Sequence, residues 1–254
     1  MLGGIFGDIV GSVYEFKEEK PDYNFTLVNK LNHFTDDTVL MVALADSIIN
    51  NKPFSEKMRE YYFNYPRLTY GGSFHKWANS INMKGYNSWG NGSAMRVAPV
   101  GFYYNSLDDV LQKAEESASV THNHIEGIKG AKAVAGAIYL ARTTKDKKNI
   151  SEFIKRKIGY DINFEYDELV TNYKFDESCQ GTVPQAIYTF LISENFEDSI
   201  RKAITIGGDS DTLACINGVI AEAFYGIPEK FKKIVYSKLD QKLTEIVNEF
   251  YSRI

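Results

Sequence analysis

Residues 35–48 read TDDTVLMVALADSI and predict a helix that begins at an acidic cluster. Thr35 is a good N-cap residue, so Asp36 and Asp37 fall in the first turn, where negative charge is favoured. Apolar and small residues then recur at three- and four-residue spacing and define one helical face: Val39, Leu40, Ala43, Leu44, Ser47 and Ile48. Adjacent helical side chains point about 100° apart, so both aspartates can reach one site only near a helix end or across two ions.

A second acidic cluster repeats this arrangement at residues 207–212, which read GGDSDT. The glycine pair permits a tight turn, and an apolar helix is predicted over residues 213–224. Helix capping alone is one interpretation of each cluster. Capping needs only one acid at each helix start, however, so the repetition favours a shared function.

The two clusters together have the composition of a divalent-cation site. Their carboxylates and hydroxyls offer only oxygen ligands, which Mg²⁺, Mn²⁺ and Ca²⁺ prefer. If folding brings the clusters together, four negative charges nearly balance the positive charge of two divalent ions. These charges belong to Asp36, Asp37, Asp209 and Asp211. Without a cation, the same charges would repel one another in a partly dry site.

The rest of the chain predicts an all-α protein. Helices are expected over residues 107–118, after a capping box formed by Ser106 and Asp109, over residues 125–142, and over residues 228–254. The one candidate extended piece is residues 23–28. No linker, repeat or composition break divides the chain, so residues 1–254 are predicted to form a single compact domain that contains a polar loop at residues 69–93.

Composition excludes several classes of protein. A formal net charge of −4 argues against an extended nucleic-acid footprint, and the basic stretch at residues 142–157 is interrupted by acids and predicted to be a solvated surface. The two cysteines suit a reducing compartment, and Cys215 is expected in the core. No segment resembles a signal peptide or a membrane span. We therefore expect a soluble, cytoplasmic protein.

The N-terminal segment places glycine at every fourth position, Gly3, Gly7 and Gly11. The spacing predicts close helix packing rather than a dinucleotide fingerprint, since no strand precedes it. On a continuous helix Asp8 and Glu15 would share a face. They are interpreted either as solvated acids or, for Glu15, as a carboxylate that reaches the metal pocket.

Two glycine-rich loops offer exposed backbone amides to an anion. They are Tyr70–Ser73 and Gly90–Arg96, and the second is predicted to run into a helix N-terminus. Either could equally be a simple turn. His122 and His124 are spaced poorly for helical metal ligation, so a polar contact to a ligand is the preferred functional interpretation for His122.

The order of these motifs resembles the ADP-ribosylglycohydrolase family, which includes the dinitrogenase-reductase-activating glycohydrolase. The resemblance is carried by residues 7–15 (GDIVGSVYE), 35–38 (TDDT), 90–96 (GNGSAMR), 121–122 (TH) and 207–212 (GGDSDT), and it spans residues 3 to about 226. It implies an all-α, orthogonal multi-helix domain with a central dimetal cleft. It also implies two Mg²⁺ or Mn²⁺ ions, an ADP-ribosylated substrate of undecided acceptor, and ADP-ribose as product.

The resemblance also implies a role for individual residues. The implied metal ligands are Thr35, Asp36, Asp37, Asp209, Asp211 and Thr212. Glu15, Asp37 and Asp211 are implied to be catalytic, with Glu15 near the reacting ribose. Substrate contacts are implied for Gly71, Gly72, Asn91, Gly92, Ser93, Ala94, Met95 and His122. A further stretch, residues 178–184, is placed near the adenine or ribose.

Three alternatives stay open at this point. Asp-rich prenyl synthases place a third carboxylate four residues after the first, where this chain has Leu40. Histidine-aspartate phosphohydrolases need several histidine ligands, and none of the four histidines directly precedes an aspartate. The non-enzymatic alternative is a module that binds ADP-ribose without cleaving it. A monomer is expected, with nucleic acid relevant only as a modified acceptor.

Overall fold

The computed structural model describes residues 1–17 and 19–254. Its helices are α1 (Leu2–Gly11), α2 (Asp36–Ile49), α3 (Phe54–Asn64), α4 (Gly72–Ala78), α5 (Gly92–Met95), α6 (Ala98–Tyr103), α7 (Leu107–Ser119), α8 (Ile125–Thr144), α9 (Lys147–Glu152), a π-helical turn (Phe153–Ile158), α10 (Tyr166–Asn172), α11 (Cys179–Leu191), α12 (Phe196–Thr205), α13 (Ser210–Tyr225), α14 (Glu229–Lys238) and α15 (Gln241–Tyr251). The described residues form no β-strand, only an isolated bridge between Gly90 and Ser178. The predicted all-α fold is confirmed.

Helices α1 and α13 form the centre of the molecule, and every residue of α1 is buried. The glycine stripe of α1 allows this contact: a Cβ on Gly7 would overlap the backbone of Ala214, and Gly3 lies directly against Gly218. The pairing brings Gly11, at the end of α1, beside Asp211, at the start of α13. The close helix packing that the glycine spacing predicts therefore sets where the second acidic cluster lies.

The apolar residues of the other helices cover this pair and form one contiguous core. Cys215 is buried within α13, as expected. Helix α8 contacts α5, α6, α11 and α13, and its small residues Gly130, Ala133 and Ala137 are buried there. Thr35 and Ser106 cap α2 and α7 through hydrogen bonds from the amides of Asp37 and Asp109. Both caps were predicted.

Several sequence predictions need correction. The segment 228–254 is two helices, because Asp240 interrupts the first and caps the second by accepting a hydrogen bond from the Leu243 amide at 2.9 Å. Residues 23–28 are irregular rather than extended strand. The polar loop contains helix α4 at Gly72–Ala78. Helix α13 begins at Ser210, three residues earlier than predicted.

The basic stretch is only partly a solvated surface. Lys155, Arg156 and Lys157 are exposed, as predicted. Lys145 instead donates to the carbonyl oxygens of Ala223 and Phe224 at 2.6 and 2.8 Å, at the C-terminal end of α13. Its positive charge thus stabilises a helix C-terminus. None of the described helices has the length and apolar character needed to cross a membrane.

Candidate active site

A cavity of about 300 Å³ opens between the turn that follows α1 and helices α2, α4, α5 and α13. Its wall contains residues from seven separate parts of the chain: Glu15, Phe16, Asp36, Asp37, Leu40, Thr69, Gly71, Gly72, Ser73, Phe74, Tyr86, Ser88, Gly90, Asn91, Gly92, Met95, Arg96, His122, Phe175, Glu177, Asp209, Asp211 and Thr212. Both acidic clusters therefore face the same space. We call the carboxylates Glu15, Asp36, Asp37, Asp209 and Asp211 the acidic wall.

Asp8 fixes the first cluster to α1. Its fully buried carboxylate accepts hydrogen bonds from the amide of Thr35 at 2.9 Å, the amide of Thr38 at 3.2 Å and the hydroxyl of Thr38. These bonds orient the first turn of α2 and therefore Asp36 and Asp37. Asp8 does not line the cavity. Its role in positioning the cluster was missed from sequence, although Asp8 lies in the quoted stretch of residues 7–15 (GDIVGSVYE).

A direct hydrogen bond joins the two clusters. The Thr212 hydroxyl donates to Asp37 at 3.0 Å, and these residues lie 175 positions apart in sequence. The Asn91 side-chain amide donates to Asp209 at 2.6 Å, which attaches the second cluster to the glycine-rich loop. Helix capping is still present, since Thr35 accepts from the Asp37 amide at 3.3 Å. The capping and functional interpretations of the cluster are therefore compatible.

The acidic wall is electrostatically strained. Burial, followed by repulsion from Asp8 and Asp36, raises the pKa of Asp37 well above its usual range. Burial and repulsion from Asp209 do the same to the pKa of Asp211. The pKa of Asp36 is raised to about 7, mainly by burial. Packing so many acids together disfavours their ionised forms.

The donor set of the acidic wall fits divalent cations. Carboxylate oxygens of Glu15, Asp209 and Asp211 lie within 4.8 Å of one another. Within residues 1–17 and 19–254, no lysine or arginine forms an ion pair with Asp8 or with any acid of this wall. Clustered oxygen ligands without a protein counter-charge are what hard divalent ions require.

Glu15 reaches this site by a route that differs from the predicted one. Helix α1 ends at Gly11, and Glu15 lies in the turn that follows, so it does not share a helical face with Asp8. It is half-buried, at the edge of the acidic wall. Burial and repulsion from Asp209 raise the pKa of Glu15 to about 8. The turn, rather than helical periodicity, delivers this carboxylate to the cavity.

Three of the implied site residues do not line the cavity. Thr35 is buried behind Asp36 as the cap of α2, and Ala94 is fully buried. The Ser93 hydroxyl points into the protein and donates to the Gly127 carbonyl oxygen at 2.7 Å. The other implied residues, including Gly71, Asn91 and Met95, do line it. Any ligand contact by Ser93 would therefore come from its backbone amide, which has no intrahelical acceptor at the start of α5.

The wall beside the glycine-rich loop carries the opposite charge. Arg96 is 1% exposed and has no ion-pair partner among the described residues. One of its guanidinium nitrogens, Nη2, donates to the Thr121 hydroxyl at 2.6 Å. That hydroxyl lies 2.7 Å from Nδ1 of His122, which also lines the cavity. We call these two cavity residues the Arg96–His122 wall.

Two aromatic side chains mark the open side of the cavity. Phe16 and Phe175 stack with their ring centroids 5.9 Å apart, and they are 73% and 47% exposed. Sequence reasoning missed both, because exposed phenylalanines in loops have no distinctive spacing. Residues 178–184 form the cap and first turns of helix α11, with Ser178 as the cap, and their predicted position near the adenine or ribose stays a prediction.

Comparison with known proteins adds independent information. The sequence model of the family described as ADP-ribosylglycohydrolase matches residues 1–254. An uncharacterized protein of Archaeoglobus fulgidus is 33% identical to this chain, with 78% of this chain and 74% of that protein covered. Human ADP-ribosylhydrolase ARH3 is 26% identical, with 92% of this chain and 87% of that protein covered.

Two further similarities are more distant. ADP-ribosylarginine hydrolase Tri1 of Pseudomonas putida is 24% identical, with 96% of this chain and 76% of that protein covered. A solved structure described as an ADP-ribosylglycohydrolase-related protein complex superimposes with a TM-score of 0.74 at 22% identity, covering 99% of this chain and 95% of that chain. The structural similarity supports the fold.

Proposed function

Because the chain belongs to the ADP-ribosylglycohydrolase family, we propose that it hydrolyses the glycosidic bond between ADP-ribose and an acceptor. Family membership and the named relatives support hydrolysis of ADP-ribose conjugates. One observation gives the strongest support to cleavage at a cation-binding site. Both acidic clusters and Glu15 face one cavity, which is also lined by the glycine-rich loop and His122. Residues 1–254 are proposed to work as one domain around this cavity.

Two divalent cations, Mg²⁺ or Mn²⁺, belong to the proposed active form. Asp36 and Asp37 at the start of α2, with Asp209, Asp211 and Thr212 at the start of α13, are the residues that would hold them. Thr35, the remaining implied ligand, caps α2 behind Asp36 and does not line the cavity. When bound, such ions supply Lewis-acid chemistry, which orients sugar hydroxyls and lowers the pKa of water. The arrangement of the four aspartates supports this assignment, since their carboxylates are crowded together and lack a protein counter-charge among the described residues.

The reaction adds water across the bond at the anomeric carbon of the distal ribose. The water oxygen bonds to that carbon, the bond to the acceptor breaks, and the acceptor receives a proton. Glu15 accepts the proton that the water loses, because it is the acid at the open edge of the wall. Asp37 and Asp211 stabilise the positive charge that develops on the sugar.

The glycine-rich loop holds the other end of the substrate. The backbone amide of Gly92, which lines the cavity, is available to the diphosphate, and Asn91 links this loop to Asp209. Binding of the ADP portion thereby orients the ribose against the acidic wall. Remote binding energy used in this way favours the transition state when it aligns the reacting atoms.

The decisive experiment measures ADP-ribose release from a panel of defined conjugates on arginine, serine and a nucleic-acid phosphate end. Each is assayed with EDTA, and after Mg²⁺ or Mn²⁺ is restored. Release that stops with EDTA and returns with the ion supports the proposal and identifies the acceptor. Saturable ADP-ribose binding without release from any conjugate would instead establish the binding-module alternative.

A further inference from the structure

Three buried polar side chains form a chain of hydrogen bonds behind the cavity. Arg96 follows helix α5, whereas Thr121 and His122 lie in the turn between α7 and α8. Their exposed fractions are 1%, 0% and 5%. Residues this far apart in sequence meet only through the fold, and the chain ends at a side chain that lines the cavity.

The chemistry of the guanidinium fixes the direction of the first bond, and the second bond follows from it if the threonine hydroxyl donates to the imidazole. A guanidinium can only donate, so the Thr121 hydroxyl oxygen accepts from Arg96 at 2.6 Å. The hydroxyl hydrogen is then free to donate to Nδ1 of His122, 2.7 Å away. Burial and the nearby positive charge of Arg96 lower the pKa of His122 well below its usual range, so the imidazole is neutral. A neutral imidazole that accepts at Nδ1 carries its hydrogen on Nε2.

The Nε2 atom faces the glycine-rich loop. A Cβ built on Gly92 would lie 3.2 Å from Nε2, and one on Gly90 would lie 3.7 Å from it. The absence of side chains at these positions leaves the imidazole edge open to the cavity. Among the described residues Nε2 has no hydrogen-bond partner, so its hydrogen is available to a ligand.

We propose that Arg96 and Thr121 are positioning residues that hold His122 as the Nε2–H tautomer, so that it donates a hydrogen bond to a diphosphate oxygen of the substrate. This inference rests on the proposed function for the identity of the ligand. Arg96 contributes twice: its donated bond orients the threonine hydroxyl, and its charge keeps the histidine neutral. A donor fixed in advance binds an anion without the cost of reorganisation.

The tautomer can be read directly by long-range ¹H–¹⁵N correlation NMR on histidine-labelled protein. We expect His122 to show a protonated Nε2 and an unprotonated Nδ1. His33 is an internal reference for the opposite tautomer, with its hydrogen on Nδ1. Its Nδ1 lies 3.0 Å from the Leu31 carbonyl oxygen, which can only accept a hydrogen bond. An Nδ1–H tautomer at His122 in the native protein would overturn the inference.

Variants of Thr121 test whether its hydroxyl sets the tautomer of His122. Thr121→Val removes the hydroxyl at nearly constant shape and should convert the His122 signals to a tautomer mixture, whereas Thr121→Ser should restore the native pattern. Ser117→Ala is the matched control, because it removes another fully buried hydroxyl, which donates to the Ala114 carbonyl oxygen at 2.9 Å. The control should leave the tautomer unchanged. An unchanged tautomer in Thr121→Val, or a changed one in Ser117→Ala, contradicts the positioning role of the Thr121 hydroxyl.

Calorimetric titration with ADP-ribose tests the consequence for binding. Thr121→Val and Arg96→Gln should weaken ADP-ribose affinity about tenfold, the scale of one hydrogen bond to a charged group. His122→Gln, whose amide can replace the Nε2–H donor, should retain more affinity than His122→Asn, whose amide replaces Nδ1. Equal losses in the last two variants would refute the donor role. Because these measurements need no turnover, they distinguish failure of this inference from failure of hydrolysis.

Discussion

The acidic wall and the Arg96–His122 wall face the same cavity but balance their charges differently. The acidic wall gathers carboxylates whose pKa values are raised by burial and mutual repulsion, such as Asp37 and Asp211. The Arg96–His122 wall has one buried guanidinium and a neutral imidazole, oriented by Thr121. One wall therefore needs added positive charge and the other needs an anion. A phosphorylated sugar with bound cations meets both requirements, so the walls should respond to different perturbations.

The largest expected effect comes from the acidic wall. Asp211→Asn keeps the size of the side chain but removes a charge from the proposed cation site. Turnover should fall about 10³-fold, the upper range for loss of one preorganised charge-stabilising group, while ADP-ribose affinity changes much less. Steady-state kinetics with Mg²⁺, together with metal titration, measures both. The exposed Asp108→Asn on α7 serves as a control, and full activity in Asp211→Asn would reject the ligand assignment.

The next largest effect is expected at Asp8, which holds the first turn of α2 beneath the acidic wall. Asp8→Ala leaves the amides of Thr35 and Thr38 without an acceptor in a buried site, which should lower the free energy of unfolding by about 3 kcal/mol. Activity should fall too, although Asp8 does not touch the cavity, because the first turn of α2 loses its orientation. Urea denaturation measures the stability change. A variant with native stability and native turnover would show that Asp8 does not position the cluster.

A change on the Arg96–His122 wall should affect binding rather than turnover. In Gly92→Ala the new methyl group would lie 3.2 Å from Nε2 of His122 and would displace the imidazole edge. ADP-ribose affinity should fall about tenfold with kcat nearly unchanged, since one hydrogen bond to a charged group is lost. The exposed Asp108→Asn on α7 again serves as the control. A large kcat loss in Gly92→Ala would remove the distinction between the walls.

The smallest expected effect is the pH dependence of stability in chelator-treated protein. The folded-state pKa values of Asp36 and Glu15 are raised, to about 7 and about 8. The folded state therefore holds more protons than the unfolded state between about pH 4 and pH 8, and stability must decline as pH rises through that range. Thermal melts should show this decline without ions and a smaller one with Mg²⁺. A melting temperature that rises with pH in the chelator-treated protein would contradict the raised pKa values of Asp36 and Glu15.

Sequence analysis identified the helices where a local signal was strong. The caps at Thr35 and Ser106 and the periodic face of α2 were sufficient to predict those elements. The break at Asp240 was missed because the apolar spacing of residues 228–254 continues across it. Glu15 was assigned to a helical face, although α1 ends four residues before it. In both cases a local interruption, visible only as a cap or a turn, outweighed the longer periodic pattern.

The amino-acid sequence by itself determined the helical class, the family and the supply of oxygen ligands, because composition, spacing and ordered motifs are local properties of the chain. Only the tertiary structure decided which of these groups meet. It placed Asp37 beside Thr212, turned Ser93 away from the cavity, buried Asp8 beneath α2 and joined Arg96 to His122 through Thr121. Such contacts depend on how closely α1 and α13 approach and on which polar groups burial forces to pair, and these are properties of the packed molecule.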